Sequence, residues 1–137
     1  MKKRVVITGM GAITPVGNNV AETWENLIKG VSGVELISSF DTSALNTKIA
    51  AQIKNYDPAE HFDPKEARKM DIYTHYALVA AREAIRDAQL VPGSYNGRRI
   101  GVITGVGIGG IITFNEECVK NHVQGPRRIS PFFIPKM

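Results

Sequence analysis

The chain has 137 residues, of which 43% are hydrophobic and 22% charged, so its composition excludes a disordered chain and indicates one globular domain. The net charge of +4 is compatible with an acidic macromolecular partner but does not identify one. A single cysteine, Cys118, excludes an internal disulfide, and no segment approaches the roughly 20 apolar residues that span a bilayer.

The N-terminus imitates a secretory signal peptide only in part. A basic start, Met1–Arg4, precedes the apolar stretch Val5–Val16. Gly9 and Gly11 dilute that stretch, and no small-residue cleavage motif follows it. We therefore expect a cytoplasmic protein, with neither a membrane nor a nucleic acid as its partner.

Two similar hexapeptides, Val6–Gly11 and Val102–Gly107, carry the strongest structural signal. In each, β-branched residues precede a glycine turn, which predicts the buried strands Arg4–Thr8 and Ile100–Thr104. Glycines placed directly after a strand let the backbone approach another group closely. Both turns are therefore candidate walls of a site.

Capping residues indicate several helices between these strands. Asn19 and Glu22 begin one that ends at Gly30, and Asp57-Pro58 and Asp63-Pro64 begin two more. The second aspartate-proline pair is expected to open the main helical region, whose longest part is Asp71–Gln89. Short strands are predicted at Val34–Ile37 and Lys48–Ile53, and Val91–Arg98 is predicted to be a turn region.

The last third of the chain alternates in the same way. Ile111, Phe114, Cys118 and His122 recur at helical spacing, and Gly125-Pro126 ends that helix. Ile129–Pro135 is apolar but is expected to be irregular, because its two prolines each remove a backbone donor. Strands alternating with helices predict a layered α/β fold.

Two motifs suggest a nucleotide-binding site and a catalytic or metal site, but other features of the sequence argue against both. Gly105, Gly107 and Gly110 match a dinucleotide-binding fingerprint, but the acidic residue expected about 20 positions later would fall in a turn. Cys118 and His122 lie one helical turn apart, as a nucleophile and base or two metal ligands would. Their position on an apolar stripe favours a structural role, and we expect no metal site.

A cluster of cations is the strongest candidate binding feature. Lys65, Arg68 and Lys69 fall on one face of the first turn of a predicted helix, where positive charge opposes the helix dipole at about 0.3–1 kcal/mol per charge. Residues that act against local helix stability in this way often have a functional role. Arg127 and Arg128 form a second exposed pair.

Together these residues resemble the opening third of the β-ketoacyl-acyl carrier protein synthases of the second type. The motifs that carry the resemblance are Val5-Val6-Ile7-Thr8-Gly9-x-Gly11, Thr14-Pro15-x-Gly17, Thr23-Trp24, Phe40-Asp41, Arg68-Lys69-Met70-Asp71, Gly105-x-Gly107-x-Gly109-Gly110 and Gly125-Pro126-Arg127-x-Ile129-Ser130-Pro131-Phe132-Phe133-x-Pro135. They extend from one end of the chain to the other.

The resemblance implies a thiolase-like layered α/β fold, of which residues 1–137 form part of the N-terminal domain, and a homodimer. It also implies decarboxylative condensation of an acyl thioester with malonyl carrier protein, without a cofactor. The family's nucleophilic cysteine and two histidines would lie after Met137, so no catalytic residue is assigned and the 137 residues alone are expected to be inactive.

The resemblance does assign binding residues. Ile108 and Phe133 correspond to residues that line the acyl pocket. Lys65, Arg68 and Lys69 correspond to the patch that receives the acyl carrier protein, and Arg127 and Arg128 to a second carrier-binding patch that serves the entrance of the other subunit. A non-catalytic paralogue of the chain-length-factor type would have the same pattern here, and a nicotinamide dinucleotide-binding dehydrogenase fragment is the other alternative.

Overall fold

In the computed structural model, which describes residues 3–137, helices predominate and the chain divides into two units. The N-terminal unit contains the described residues up to Tyr56 together with Val79–Leu90, and the C-terminal unit contains Asp57–Leu78 and Val91–Met137. The regular elements are α1 (Val20–Ile28), β1 (Val34–Leu36), β2 (Ile49–Ala51), α2 (Pro64–Ala67), α3 (Ile72–Asp87), α4 (Ile111–Gln124) and α5 (Phe133–Lys136). Three 3₁₀ turns lie at Pro58–Glu60, Gly97–Arg99 and Pro126–Arg128.

The predicted start and end of α1 are confirmed. The Asn19 side chain accepts from the Glu22 N–H at 2.8 Å, and the Glu22 carboxylate accepts from the Asn18 N–H at 2.8 Å. The first contact satisfies a donor that the first turn of a helix leaves without an intrahelical partner, and the second fixes the residue before the N-cap. Gly30 has a φ of +68°, which favours glycine at the end of the helix.

The two short strands are also confirmed, although each is shorter than predicted. β1 and β2 pair antiparallel, with Val34 opposite Ala51 and Leu36 opposite Ile49. An ion pair of 2.8 Å between Lys54 and Glu35 lies beside them. The strand residues are mostly exposed, so this ribbon is not the core of the unit.

The buried strands predicted at Arg4–Thr8 and Ile100–Thr104 are wrong for this structure. Neither segment is hydrogen-bonded to a neighbouring strand within residues 3–137, and their side chains are exposed, with Val5 at 91% and Ile103 at 99%. A β-strand forms only where a second strand accepts and donates its backbone hydrogen bonds. Within residues 3–137, these β-branched segments therefore form no regular strand.

The glycine turn after the first of these segments packs closely on α3. A β-carbon at Gly11 would lie 1.8 Å from the Ala80 carbonyl oxygen, and one at Gly9 would lie 2.5 Å from the Ala84 carbonyl oxygen. Two α3 carboxylates fix the same loop, because Asp87 accepts from the Met10 N–H and Glu83 from the Ala12 N–H, each at 2.9 Å. Close backbone approach accounts for the glycines there.

The helix α3 ends in the same hydrogen-bond pattern as α1, but with glutamine where α1 has glycine. The Leu90 N–H donates to Ile85 and the Gln89 N–H to Arg86, while Gln89 has a φ of +54°. A residue with a β-carbon is strained in this left-handed conformation. The predicted end of the helix at Gln89 therefore lies two residues too late.

We expect Gln89→Gly to raise the free energy of unfolding by about 0.5–1 kcal/mol, because glycine removes the left-handed strain. Chemical denaturation followed by circular dichroism measures the change. Gln89→Ala keeps the β-carbon and serves as the control. Equal stability of the glycine and alanine variants would contradict the explanation.

In the C-terminal unit, both predicted aspartate caps are confirmed, but the helices they begin are short. Asp57 accepts from the Ala59 N–H at the turn Pro58–Glu60, and Asp63 accepts from the Lys65 N–H at α2. The second cap does not open one long helical region, because α2 ends at Ala67 and α3 begins only at Ile72. The break places Asp71 directly before α3.

A small mixed core forms around Asp71 and α4. Phe62 and His75 are buried, their ring centroids are 4.9 Å apart, and the His75 Nε2 lies 3.0 Å from the Ala67 carbonyl oxygen. On α4 the buried residues are Thr113 and Glu117. Among residues 3–137, every helix is too short or too polar to span a bilayer.

The predicted helix that carries Ile111, Phe114, Cys118 and His122 is confirmed as α4, but this apolar stripe is not its buried face. Ile111 is 51% exposed and Phe114 45%, while Cys118 and His122 are also exposed. The helix instead buries the polar pair Thr113 and Glu117, because each has hydrogen-bond partners within the unit.

Ile129–Pro135 is less irregular than expected. Arg128 ends one 3₁₀ turn, and α5 begins at Phe133 and includes Pro135. The N–H that Pro135 lacks falls in the first turn of this four-residue helix, where it would have no intrahelical acceptor. The proline is therefore tolerated.

Candidate functional site

All the residues assigned to binding lie in the C-terminal unit, where Phe133 belongs to an aromatic cluster, Ile108 lies on a loop, and the cations form a basic surface. The aromatic cluster is formed by Phe114 of α4 and Phe133 of α5, whose ring centroids are 6.1 Å apart with an interplanar angle of 37°. Tilted rings at this separation attract each other, by about 0.5–1.5 kcal/mol beyond the area they bury. Phe133 is partly buried.

Ile108 lies on the glycine-rich loop that precedes α4, and its side chain is 75% exposed. The end of that loop is fixed by close contacts. A β-carbon at Gly109 would lie 2.9 Å from the Tyr73 ring, and one at Gly110 would lie 2.7 Å from the Met137 α-carbon. Gly110 also has a φ of +68° and forms the N-cap of α4. The loop carrying Ile108 therefore ends beside the residue that follows α5.

Ser130 connects α4 to the segment that carries Phe133. Its N–H donates to Glu117 Oε2 at 2.7 Å, its Oγ accepts from the Phe132 N–H at 3.1 Å, and its carbonyl accepts from the Phe133 N–H at 3.0 Å. Lys120 donates to the other Glu117 oxygen. The Lys120 ammonium and then the Ser130 N–H hold the pKa of the Glu117 carboxyl below its ordinary value.

Asp71 holds the beginning of α3 against α4. Its carboxylate accepts from both the hydroxyl and the N–H of Thr113, the latter at 3.2 Å, and the residue is 4% exposed. Burial raises the pKa of the Asp71 carboxyl, but the hydrogen bonds from Thr113 and from the N–H groups of Tyr73 and Ile72 outweigh burial and lower it. The group is therefore ionised at neutral pH.

The basic surface comprises two exposed patches, Lys65, Arg68 and Lys69 in and just after α2, and Arg127 with Arg128 on the last 3₁₀ turn. Within residues 3–137, none of these five cations forms a salt bridge. Their charges are therefore available to an anionic partner. Arg127 and Arg128 lie on the 3₁₀ turn that leads into Ser130.

The predicted conflict with the helix dipole is wrong for Arg68 and Lys69. Arg68 is the C-cap of α2, and the Lys69 N–H donates to the Glu66 carbonyl just beyond the helix. Cations at a helix C-terminus are stabilised by the dipole rather than opposed by it. The cost expected from their position in the first turn therefore does not arise at these two residues.

The glycine turns differ in their surroundings. Gly9–Ala12 lines an apolar cavity of about 860 Å³ in the N-terminal unit, together with Trp24 and Leu27 of α1. The Met10 and Ala12 N–H groups in its wall already donate to Asp87 and Glu83, so they offer no donor to a polar ligand. At Gly105 and Gly107, by contrast, an added β-carbon would meet open space.

Comparison with known proteins identifies the family. Residues 2–137 match the family model of the β-ketoacyl synthase N-terminal domain. The chain belongs to the β-ketoacyl synthase family. Its fold is that of the thiolase-like ketosynthases, in a mixed arrangement of helix and sheet.

Several synthases and solved structures are similar to the chain. The 3-oxoacyl-[acyl-carrier-protein] synthase 2 of Staphylococcus aureus (strain COL) is 51% identical to the chain, and the match covers 98% of the chain and 33% of that synthase. The synthase 2 of Synechocystis sp. is 42% identical, and its match covers 99% of the chain and 33% of that synthase. The ishigamide ketosynthase/chain length factor has a TM-score of 0.77 at 27% identity and covers 96% of this chain and 33% of that one. The AntDE:AntF complex is a type II PKS acyl-carrier protein with its ketosynthase bound to the hexaketide. It has a TM-score of 0.76 at 25% identity, and the match covers 97% of this chain and 34% of that one.

The chain therefore spans about a third of the length of the curated synthases that it matches. The same comparisons do not favour the dinucleotide-binding or chain-length-factor alternatives, because the curated relatives reported above are synthases. Cys118 and His122 lie exposed on α4, and no group of three potential metal ligands clusters among the described residues.

Sequence reasoning missed the polar residues that connect α4 to the beginning of α3 and to the segment before α5, namely Asp71, Thr113, Glu117 and Ser130. One signal was available, since Asp71 directly precedes a helical pattern as an N-cap residue does. Thr113 and Glu117 are four residues apart and thus share a helix face, but the sequence gives no indication that this face is buried.

Proposed function

We propose that the chain supplies part of the acyl pocket and of the carrier-docking surface of a fatty acid elongation synthase. The complete protein would catalyse decarboxylative Claisen condensation of an acyl thioester with malonyl carrier protein. The observation that carries the proposal is the 51% identity to a 3-oxoacyl-[acyl-carrier-protein] synthase 2 over 98% of the chain. The partner in the AntDE:AntF structure, an acyl-carrier protein, supports the same kind of partner here.

The chemistry of the described residues agrees with this assignment. Phe133, with Phe114 against it, offers an apolar aromatic surface suited to a hydrocarbon chain. Ile108 adds an exposed aliphatic group on a loop whose last two glycines, Gly109 and Gly110, pack closely on their neighbours. The five exposed cations suit an acidic protein that carries its substrate on a phosphopantetheine arm. We further propose that the complete protein is a cytoplasmic homodimer.

In this proposal the chain binds and orients the acyl group but does not form the covalent bond. The family resemblance assigns that step to a cysteine thiolate after Met137, with two histidines that stabilise the charge developing on the malonyl thioester. Preorganised donors of this kind contribute strongly to acyl-transfer catalysis. Cys118 follows Glu117, whereas the family's nucleophile follows an alanine, so Cys118 does not match that motif.

A chimera tests the proposal. Residues 2–137 replace the matching third of the Staphylococcus aureus synthase, and the products made from an acyl carrier primer and malonyl carrier protein are identified by mass spectrometry. We expect condensation by the chimera and none by the 137 residues alone. A folded chimera without condensation, or any product from the 137 residues alone, would contradict the proposal. A melting shift with NAD would instead support the dehydrogenase alternative.

A further inference from the structure

Glu117 occupies an unusual place for a glutamate, because it is 7% exposed on a short helix whose apolar residues face outward. Both oxygens are engaged, with Oε1 accepting from Lys120 and Oε2 from the Ser130 N–H. A buried carboxylate with two charge-assisted partners has a fixed orientation. Its neighbour Glu116 is exposed and has no such contacts among the described residues.

The restraint passes from Glu117 to the aromatic residues through Ser130. Pro131 has no N–H, so the segment after Ser130 depends on Ser130 itself, whose side chain and carbonyl accept from Phe132 and Phe133. Fixing the Ser130 backbone therefore fixes the beginning of α5. Phe114 lies three residues before Glu117 on α4 and packs on the Phe133 ring.

The segment is thus attached to α4 at two adjacent points, one polar and one aromatic. The aromatic contact alone would allow the Phe133 ring to slide along α4, whereas the directional Glu117–Ser130 hydrogen bond sets the distance between the segment and the helix. Charged groups facing Glu117 come from two elements, Lys120 of α4 and Lys136 of α5.

We propose that Glu117 is a positioning residue that sets the acyl-chain preference of the pocket by holding the Ser130–Phe133 segment against α4. This inference rests on the proposed function, since it assumes that Phe133 contacts the acyl chain. In this proposal Glu117 acts on the acyl chain only through Ser130 and the residues that follow it. Its effect should therefore grow with the length of the primer.

The experiment compares the chimera with its Glu117→Ala variant on acyl carrier primers of increasing length. We expect the ratio of kcat/KM for long over short primers to change about tenfold, as differences of this scale in apolar pockets do, with the change mainly in KM for the long primers. Glu117→Gln retains an oxygen that accepts from Ser130 and should restore most of the parent ratio. Glu116→Ala is the matched control and should leave the ratio unchanged.

Hydrogen exchange gives a second readout that does not require activity. Deuterium uptake by the peptide that contains Ser130 and Phe133 should accelerate at least about tenfold in Glu117→Ala, but not in Glu116→Ala. If the alanine variant does not fold, Lys120→Met, which removes the cation that orients the carboxylate, should accelerate uptake and change the ratio in the same direction.

Equal loss of activity for every primer length, or unchanged uptake at Ser130, would overturn the inference. An inactive parent chimera would instead count against the proposed function, whereas the uptake measurement would still test the Glu117–Ser130 restraint. The two failures are therefore distinguishable.

Discussion

Replacing Asp71 with alanine is expected to lower the free energy of unfolding by about 2–4 kcal/mol. The carboxylate accepts from the hydroxyl and the N–H of Thr113 and also lies at the beginning of α3, close to the N–H groups of Ile72 and Tyr73. Alanine would leave the buried Thr113 groups without an acceptor and would remove the cap. Chemical denaturation of the chimera and its variants measures the loss.

Two comparisons separate these contributions. Asp71→Asn keeps one acceptor oxygen, so its loss should be clearly smaller. Asp63→Ala removes another aspartate cap, but that residue is exposed and begins only the short α2, so its loss should not exceed about 1 kcal/mol. Equal effects of Asp71→Ala and Asp63→Ala would show that the Thr113 contact contributes nothing.

The same carboxylate gives the prediction a pH dependence. Its pKa in the folded state lies below the ordinary value of 3.8, so the folded chain binds fewer protons at this group than the unfolded chain. Its stabilisation is therefore fully present above about pH 4 and is lost as the pH falls through the lowered pKa. The stability difference between the parent and Asp71→Ala should narrow below that pH.

Local chemistry explains which parts of the fold could be predicted from the sequence. Asn19, Asp57 and Asp63 cap helices with contacts two or three residues away, and Gly30 ends α1 in a conformation that glycine favours. Such contacts depend only on nearby residues, so their patterns appear directly in the sequence. The bounds of α1 therefore agreed closely with the prediction.

The prediction of the two buried strands was wrong because a strand depends on a neighbour that can be distant in the sequence. Arg4–Thr8 and Ile100–Thr104 have the composition of buried strands, but composition supplies no hydrogen-bonding neighbour, and none is present within residues 3–137. The sequence indicates which residues suit a β-strand. It does not indicate whether a neighbouring strand is present to pair with that strand.

The candidate site likewise contains residues that the sequence could identify and residues that only the fold brings together. Its cations and Phe133 were recognised from motifs, whereas Glu117 and Ser130 are thirteen residues apart and meet only because α4, the turn Pro126–Arg128 and α5 bring them together. A polar residue on an apolar helix is normally interpreted as solvent-facing. The structure instead shows that Glu117 is buried.

Reversing two charges of the basic surface is expected to weaken binding of the acyl carrier protein by the chimera at least about tenfold, or about 1.4 kcal/mol. Lys65→Glu with Arg68→Glu replaces two exposed cations by anions, so attraction of an acidic partner becomes repulsion. Affinity is measured by calorimetry or fluorescence anisotropy at low salt. The difference from the parent should shrink as salt screens the charges.

The matched control is Arg98→Glu with Arg99→Glu, because this pair is also exposed, lies in the same unit and changes the net charge equally. If the surface acts through its position rather than through total charge, the control should weaken binding much less than the Lys65 and Arg68 variant. Reversing Arg127 and Arg128 should weaken binding as well. Equal effects of the first two variants would mean that the carrier responds only to overall charge, and the assignment of Lys65, Arg68 and Lys69 would fail.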